Sequence, residues 1–316
     1  MQYSIIQKSQ LEGALRMDAE YYQPEYLDML NKVNNFKVNN IGNICDILRG
    51  NTPKEYGYFE TSVVRSGDLS YGFINDEQNL FKAKNENIFF LKNGDVLISS
   101  IGFGSIGKVN IFFGEDNKLA TVAEVSVLRN CKINPFFVWG FLRSKFGQFQ
   151  INREITGATG QLHLNTGNIA NIIIPIVKEK VGQEIENFYK EAEKLYQKSK
   201  ELYAQAENLL LEELGLKDFE NENSLFSIVN LSEVENASRI DAEYFQEKYK
   251  KLVKKIKLNN AKKLGDLVSI KKGFEPGSEE YYEEGKLFIR VSSLSVNGIE
   301  NSGQKYLSEK LYQEFK

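Results

Sequence analysis

A glycine-rich loop at residues 102–107 is the stretch whose residue types come closest to a nucleotide-binding site. Its sequence, Gly-Phe-Gly-Ser-Ile-Gly, fits the G-x-G-x-x-G pattern in which amides at the start of a helix hold a pyrophosphate. Lys108 makes it a near match to a phosphate loop, but Val109 stands where that loop needs a Ser or Thr hydroxyl. Both mechanisms require a helix next, and residues 108–113 are strand-like. We therefore predict a hairpin turn here.

A second segment with possible chemistry is Asn134-Pro135-Phe136-Phe137. It resembles the Asn-Pro-Pro-Phe signature that holds an amino group for methylation in adenine methyltransferases. The second Pro is absent, and no convincing methyl-donor loop precedes the segment. We therefore expect a chain without catalysis, and we keep an enzyme of the adenine-N6 DNA methyltransferase type as the alternative.

Histidine and cysteine are scarce in this chain. His163 is the sole histidine, and the two cysteines are Cys45 and Cys131. So few ligands leave little room for zinc or for histidine acid–base chemistry, and we predict no metal site. The cysteines are expected to be buried free thiols of a cytosolic protein.

Several polar loops carry residue types that suit nucleic acid. Arg, Lys, Asn and Gln side chains bond base edges, whereas Ser, Thr and backbone amides suit phosphates. The alternative is an ordinary solvated loop, and for His163 a structural hydrogen bond. The candidate DNA contacts are Arg49, Asn51, Thr52, Lys54, Arg65, Ser66, Ser99, Ser100, Lys108, Thr159, Gln161 and His163.

The elements that must position these loops are short and mixed. Gly and Asn turns separate most of five β-prone runs, and residues 135–149 form a predicted helix with Pro135 near its first position. This pattern predicts an irregular α+β domain. The β-prone runs are residues 62–65, 95–99, 108–113, 121–128 and 172–174.

Residues 179–214 predict one long helix. Apolar or small side chains recur there at alternating steps of four and three, the 3.5-residue period of a coiled-coil seam, and Gly215 supplies a stop. A heptad pattern of this length favours a partner helix, with a lone amphipathic surface helix as the alternative. The candidate partner-binding residues are Ile185, Phe188, Leu195, Leu202 and Leu209.

The chain repeats itself at an offset of 223 residues. The segment Arg-Met-Asp-Ala-Glu-Tyr-Tyr at residues 16–22 recurs as Arg-Ile-Asp-Ala-Glu-Tyr-Phe at residues 239–245. Without gaps, residues 3–53 match the second copy at 17 of 51 positions, too many for chance. The repeated Arg-x-Asp is expected to be a structural ion pair. The second copy stops about 90 residues in.

Charge is distributed unevenly over the 316 residues. The formal net charge is −3, but residues 179–225 alone carry six more acidic than basic side chains. Residues 1–178 and 226–316 have net charges of +1 and +2, which permits nucleic-acid binding without demonstrating it. Because no run of about 18 apolar residues occurs and no signal pattern begins the chain, we expect no membrane association and a cytoplasmic location.

The order of these features resembles the specificity subunit of type I restriction–modification systems. The resemblance covers essentially the whole chain, and the order of the motifs together with the duplication is more specific than any single motif. The matching segments are Arg49-Gly50-x-Thr52-Pro53, Asp95–Ser100, Gly157–His163, Asn168–Pro175, the long helix, and the restart after it.

The resemblance implies a non-catalytic subunit with two target recognition domains joined by helices that form an antiparallel coiled coil. Each domain would read one half of a split DNA sequence, and the helices would set the spacing. The subunit would dock methyltransferase subunits, which use S-adenosylmethionine, and through them restriction subunits. Lys272 and Arg290 would be the DNA-contacting counterparts in the second copy, and this chain itself would hold no cofactor.

The resemblance divides the chain into residues 1–178, a first recognition domain; 179–225, the spacer helix; and 226–316, an incomplete second domain. Because the second domain is incomplete, we expect either a truncated product whose heptad seam another chain covers, or a natural shortened variant. A coiled-coil adaptor without DNA contact is a further alternative.

Overall fold

The computed structural model describes residues 3–14, 16–70, 72–74, 80–102, 104–157, 162–219, 226–258, 261–295, 298–299 and 304–315. The chain forms two compact units, Met1–Gln205 and Ala206–Lys316. The fold is mixed α+β with one long helix, as the sequence predicts.

Two four-stranded sheets form the centre of the first unit. One has the order β2-β9-β6-β7 and is antiparallel throughout, and the other has the order β4-β3-β8-β5 with β3 and β8 parallel. A separate pair joins β1 and β10. The strands are β1 Val38–Asn40, β2 Asp46–Arg49, β3 Tyr56–Val64, β4 Phe81–Ala83, β5 Phe89–Phe90, β6 Val96–Ser99, β7 Val109–Ile111, β8 Leu119–Thr121, β9 Val125–Arg129 and β10 Ile173–Pro175.

The sheet that contains β6 is buried on both faces. Val96 and Ile98 belong to a core shared with the helices, whereas Leu97 belongs to a second core shared with the other sheet. Since successive side chains of a strand point to opposite faces, this alternation places β6 between two apolar layers. The continuous apolar run of β6 follows from that position.

The α-helices that begin in the first unit are α1 Lys8–Ala14, α2 Pro24–Asn34, α3 Ile41–Ile44, α4 Pro135–Arg143, α5 Lys145–Glu154, α6 Thr166–Asn171 and α7 Glu179–Glu213. The prediction of one helix over residues 135–149 is wrong, because Ser144 is extended and separates α4 from α5. Its hydroxyl donates to the Phe141 carbonyl at 2.6 Å and accepts from the Gly147 amide at 3.4 Å. A Cβ at Gly147 would lie 2.4 Å from Leu142 Cα, so the tight turn requires glycine.

Helix α7 confirms the prediction from the heptad pattern. Its 35 residues give a length of roughly 50 Å. Gly215, with φ of +62°, ends the helix, and the Leu216 amide donates to the Leu211 carbonyl at 2.7 Å. This is the glycine stop that a Schellman-type ending needs.

An aromatic cluster fixes the first turns of α7 to the domain. The Tyr189 ring is buried edge-on against Trp139 at 5.1 Å and is 5.0 Å from the Phe136 ring. Burial raises the pKa of Tyr189 above its ordinary value. The contact is close because Gly182 packs on Asn134, where a Cβ would lie 2.6 Å from the Asn134 Cβ.

The two cysteines form a disulfide, so the expectation of free thiols is wrong. Cys45 and Cys131 have Cα atoms 4.1 Å apart and are bonded through their sulfur atoms. They flank the end of the β2–β9 pair, whose terminal register partners are Asp46 and Arg129. The two cysteines are 86 residues apart, so their pairing is a long-range contact that local sequence patterns do not report.

The second unit repeats the start of the first at the same offset. Each of α8, α9 and α10 begins and ends 223 residues after α1, α2 and α3. The ion pair expected from the repeated motif is confirmed twice, with Arg16–Asp18 at 2.6 Å and Arg239–Asp241 at 2.7 Å. The elements are α8 Leu231–Ala237, α9 Glu247–Lys257, α10 Leu264–Leu267, β11 Lys286–Phe288, β12 Leu294–Ser295, β13 Gly298–Ile299, β14 Lys305–Leu307 and α11 Glu309–Glu314.

Within the described ranges, no helix combines the length and the apolar character that crossing a membrane demands.

We expect Tyr189→Ala to lower the free energy of unfolding by about 3 kcal/mol, because it removes a buried aromatic ring from a packed cluster. Tyr203→Ala is the matched control, since Tyr203 lies on the same helix with 60% of its surface exposed; it should change stability by less than about 0.5 kcal/mol. Urea denaturation followed by the fluorescence of the single tryptophan, Trp139, measures both. Equal losses in the two variants would contradict the anchoring role.

Candidate nucleic-acid interface

The predicted recognition loops meet at one edge of the first unit. Strands β2 and β6 end at Arg49 and Ser99, and their antiparallel partners β9 and β7 begin at Val125 and Val109. The second sheet joins this edge because the end of β3 lies beside Thr121 of β8. We call this surface the loop edge, and it comprises residues 49–54, 65–70, 99–102, 104–108, 121–124 and 162–163.

Residues 49–54 cross from the first sheet to the second. The Gly50 amide donates to the Val125 carbonyl at 3.1 Å, and the Asn51 amide donates to the Thr121 carbonyl at 3.2 Å. A Cβ on Gly50 would lie 2.2 Å from the Val122 carbonyl oxygen, so this crossing requires glycine. The side chains of Arg49, Asn51 and Lys54 are exposed beside this backbone.

Thr52 is exposed, but its hydroxyl already has partners. It donates to Glu124 Oε2 at 3.3 Å and accepts from the Ala123 amide at 3.3 Å. These bonds tie residues 49–54 to the connection between β8 and β9. Thr52 therefore orders the loop, and its exposed neighbours are better placed to contact a ligand directly.

Arg65 is held by an aromatic ring and a carboxylate. Its guanidinium lies over the Phe81 ring at 3.6 Å, and its Nε is 3.7 Å from Asp68 Oδ2. Asp68 is buried and accepts the Arg65 amide at 2.8 Å. Among the described residues, the Arg65 Nε has no hydrogen-bond partner. Stacking and ion pairing thus orient the guanidinium of a side chain that is 41% exposed.

Sequence reasoning missed two aromatic residues beside Arg65. Phe81 is about half exposed, and the Tyr56 ring stands edge-on to it at 6.3 Å. Burial raises the pKa of Tyr56, and the nearby Glu124 raises it further. None of the β-prone runs predicted from the sequence begins at either residue, and the β3–β4 pairing that joins the rings is not visible locally.

Ser66 and Lys108 belong to a link between two parts of the loop edge. Ser66 is half-buried and begins a short 3-10 helix that runs to Ser70. Lys108 Nζ donates to the Ser70 hydroxyl at 2.6 Å. The ammonium group therefore fastens the start of β7 to this helix.

Ser99 and Ser100 lie beneath the loop edge and do not reach its surface. Both are fully buried. The Ser100 and Ser126 hydroxyl oxygens are 2.6 Å apart, and the Ser99 hydroxyl donates to the Ile101 carbonyl at 3.5 Å. The expectation of side chains that face a ligand is thus not met for these two residues, because strand β6 is covered on both faces.

The glycine loop is the hairpin turn that the sequence predicts. It joins the antiparallel strands β6 and β7, and Gly102, Gly104 and Gly107 all have positive φ. The Gly107 amide donates to the Ser99 carbonyl at 2.8 Å. A strand follows the glycines, so no helix start is available to hold a pyrophosphate.

The third predicted loop lies only partly within the described residues. Thr159 and Gln161 lie outside the described residues. His163 is half-buried, and its backbone pairs with Thr156 through bonds of 2.8 and 2.9 Å. The adjoining Leu164 amide donates to the Ser100 carbonyl at 2.9 Å, which attaches this segment to the loop edge.

The second unit carries a partial counterpart of the Arg65 turn. The Arg290 amide donates to the Ser293 hydroxyl at 3.3 Å, as the Arg65 amide does to Asp68. The Arg290 guanidinium lies 5.7 Å from the Tyr281 ring centre. Lys272 is exposed in the segment between α10 and the next short helix.

Asn134 has a structural role that explains the Asn-Pro segment. Its side-chain oxygen accepts the Phe136 amide at 2.9 Å and caps α4, with Pro135 at the first helical position. Its amide nitrogen donates to Glu186 Oε2 at 2.9 Å. Both ends of the side chain are therefore engaged between α4 and α7.

In the part of the chain that the structure describes, no three His, Cys, Asp or Glu side chains group as metal ligands would.

A comparison with protein families decides the classification. The type I restriction modification DNA specificity domain matches residues 33–208, which is more than half of the chain. The chain belongs to this family. The match includes most of the first unit and nearly all of α7, and the specificity family is non-catalytic. Membership in it replaces the methyltransferase alternative. No curated protein matches the sequence.

Solved specificity subunits are also similar to this chain. The HsdS subunit from Thermoanaerobacter tengcongensis is 15% identical, with 54% of this chain and 42% of that chain covered and a TM-score of 0.37. The type I S subunit from M. genitalium is 15% identical, with 85% and 63% covered and a TM-score of 0.42. The chain thus spans about two-fifths to three-fifths of the length of these subunits.

We expect Gly50→Ala to lower the free energy of unfolding by about 2 kcal/mol and to loosen residues 51–54, because its methyl group meets the Val122 carbonyl. Gly67→Ala is the matched control, since a methyl group there has no neighbour within 4 Å. Chemical denaturation and amide exchange of residues 51–54 measure the two effects. Equal behaviour of both variants would show that the crossing tolerates a side chain.

Proposed function

We propose that this chain is a DNA-recognition subunit of a type I restriction–modification complex and reads one half of a split target through the loop edge. The observation that carries the proposal is the convergence of Arg49, Asn51, Lys54 and Arg65 at one edge of two packed sheets. Basic and amide side chains on a rigid support are what direct readout of duplex DNA needs.

The proposal gives the loop-edge residues different tasks. Arg49, Asn51 and Lys54 are exposed and contact DNA, and Arg65 presents a guanidinium oriented by Phe81. Five other residues support the loops, either by hydrogen bonds or from beneath the loop edge: Thr52, Ser66, Ser99, Ser100 and Lys108. The proposal also assigns DNA contact to Thr159, Gln161 and His163, and in the second unit to Lys272 and Arg290.

The distribution of charge is consistent with this division. Residues 1–178 and 226–316 are slightly basic, whereas the spacer region 179–225 has a net charge of −6. An acidic helix is repelled by phosphate, so binding is confined to the flanking domains. We propose these ranges as first recognition domain, second recognition domain and spacer.

Helix α7 supplies the second half of the proposed function. Phe188, Leu195, Leu202 and Leu209 recur every seven residues and are 52–71% exposed; we call them the α7 stripe. Ile185, by contrast, packs against the core of the first unit and is not available to a partner. We propose that the stripe binds methyltransferase subunits or a second spacer helix, and that restriction subunits join through the methyltransferase.

S-adenosylmethionine belongs, in this proposal, to the partner methyltransferase in the cytoplasm. Absence of S-adenosylmethionine binding by this chain would agree with the specificity role, and stoichiometric binding would favour an enzyme. Methylation-site sequencing with the cognate methyltransferase present reports the recognised sequence directly.

We expect Arg49→Ala to weaken duplex binding by threefold to tenfold, or about 1 kcal/mol, and to reduce the salt slope by about one phosphate contact. Lys92→Ala removes one charge from the opposite end of β6 and is the matched control, which should leave affinity unchanged. Fluorescence anisotropy over a range of salt concentrations measures both. Undiminished binding by an Arg49→Ala, Arg65→Ala double variant would favour the adaptor without DNA contact.

We expect Leu195→Glu with Leu202→Glu to abolish association through the α7 stripe, because charged groups replace two exposed apolar seam residues. Lys194→Glu with Lys198→Glu changes charge beside the stripe and keeps its apolar side chains. Light scattering reports self-association, and co-purification reports binding to the methyltransferase. A chain that is monomeric and fails to bind methyltransferase before any substitution would contradict the proposal for α7.

A further inference from the structure

The second unit carries a concentration of positive charge that its net charge conceals. Residues 247–263 contain eight lysines and one acidic residue, Glu247, whereas the rest of residues 226–316 has a net charge of −5. We propose that helix α9 binds the phosphate backbone of duplex DNA without regard to base sequence. This site is separate from the loop edge, and its basis is the DNA-specificity family of the chain, not the loop-edge residues.

The matching segment of the first unit lacks this charge. Residues 24–40, at the offset of 223 residues, contain two basic and two acidic side chains and are neutral. Helices α2 and α9 each have 11 residues and occupy the same place in the repeat. Because the two copies form the same helix with a difference of seven charges, folding of the helix does not require the lysines.

Three of the lysines lie along one side of α9. Lys251, Lys254 and Lys257 are exposed and follow one another at steps of three residues; we call them the α9 lysine row. Each step of three turns the direction back by about 60°, so the row occupies about 120° of the helix surface. The row extends over roughly 9 Å, and a DNA strand places one phosphate about every 3.4 Å along the duplex axis. It is therefore long enough to contact two or three consecutive phosphates.

The same positions face solvent in the first unit. The counterparts of the row are Asp28, Asn31 and Asn34, and all three are exposed. Helix α5 packs on a different side of α2, where the Phe149 ring meets the Tyr26 ring at 5.6 Å. The row thus occupies positions that stay exposed when the neighbouring helix is packed in place, and the second copy has filled them with ammonium groups.

Two other lysines of α9 have a structural role. Lys250 Nζ lies 3.5 Å from Glu233 Oε1 on α8, and Lys248 Nζ lies 3.9 Å from Glu243 Oε1. These ion pairs attach α9 to the segment that precedes it. We therefore assign the phosphate contact to the α9 lysine row and not to the whole helix.

The type of basic residue favours phosphate over base edges. All eight basic residues of the segment are lysine, and none is arginine. Lysine presents a compact point charge that suits phosphate, whereas bidentate recognition of a base edge favours arginine. A membrane-surface helix would instead insert its apolar face, and the corresponding face of α2 packs against protein.

A backbone contact of this kind acts before the sequence is read. It adds affinity and speeds association for any duplex, weakens as salt is raised, and carries no sequence information. The row would hold DNA against the second unit while the recognition loops test the bases. The first unit, which has no such row, would depend more on its loops.

The test is the salt dependence of binding of the full chain to labelled random-sequence duplexes, measured by fluorescence anisotropy. Glutamine has nearly the helix propensity of lysine, so Lys251→Gln, Lys254→Gln and Lys257→Gln together neutralise the row without breaking the helix. We expect the slope of log K against log salt to fall in magnitude by about two to three, and the affinity to fall roughly tenfold or more. Lys254→Gln alone should lower the slope by about one, which gives a reading if the triple variant folds poorly.

Two matched triple variants identify the cause. Arginine at the three row positions keeps the charge and should preserve the slope. Lys286→Gln with Lys305→Gln and Lys310→Gln removes the same charge elsewhere on the second unit and should change the slope by less than about one. An unchanged slope after neutralisation of the row, or an equal fall in this second control, would overturn the proposal. So would undiminished duplex binding together with lost binding to phosphatidylserine vesicles or to the methyltransferase.

Failure of this proposal is distinguishable from failure of the loop-edge proposal. The Arg49→Ala, Arg65→Ala double variant tests the loop edge on the same duplexes. If that variant loses binding while the neutralised row keeps the full slope, only the α9 proposal fails. The opposite result would support the α9 site and contradict the loop edge.

Discussion

A buried ion pair holds the sheets on which the loop edge depends. Arg129 at the end of β9 donates to both carboxylate oxygens of Asp95, at 2.9 and 2.6 Å, and also to the Phe90 carbonyl at 2.9 Å. Asp95 in turn accepts the Lys92 amide at 2.8 Å. Hydrogen bonding to Asp95 raises the pKa of Arg129 above its ordinary value, so the guanidinium stays charged.

This pair acts on register as well as on stability. It joins the start of β6 to the end of β9, where Val96 faces Leu128, and it reaches the second sheet through Phe90. A slip of one residue would turn every β6 side chain to the opposite face. Because both faces of β6 are buried, a shifted strand register would be costly. The other ends of β6 and β9 lie at the loop edge. An ion pair at one end of the sheet thus sets the positions of the loop-edge residues at the other.

Local patterns in the sequence predicted the elements better than their contacts. The 3.5-residue period predicted α7, Gly215 predicted its end, and the strand after Gly107 predicted the hairpin. The disulfide between Cys45 and Cys131 and the stacking of Arg65 on Phe81 depend on strand pairing between distant segments. The burial of Ser99 and Ser100 depends on a second sheet that covers β6. The break at Ser144 depends on a serine cap and a glycine contact within an otherwise helical apolar pattern.

The anchoring of α7 at Tyr189 has a consequence for rotation as well as length. Since each residue turns a helix by about 100°, the buried Tyr189 ring fixes the direction in which Leu195 and Leu202 face relative to the first unit. One residue inserted between the anchor and the α7 stripe would add only about 1.5 Å yet turn the stripe to a different side. Seven inserted residues would add roughly 10 Å and restore the facing direction. The angle at which a partner bound to the α7 stripe would meet the first unit is therefore specified by a residue count.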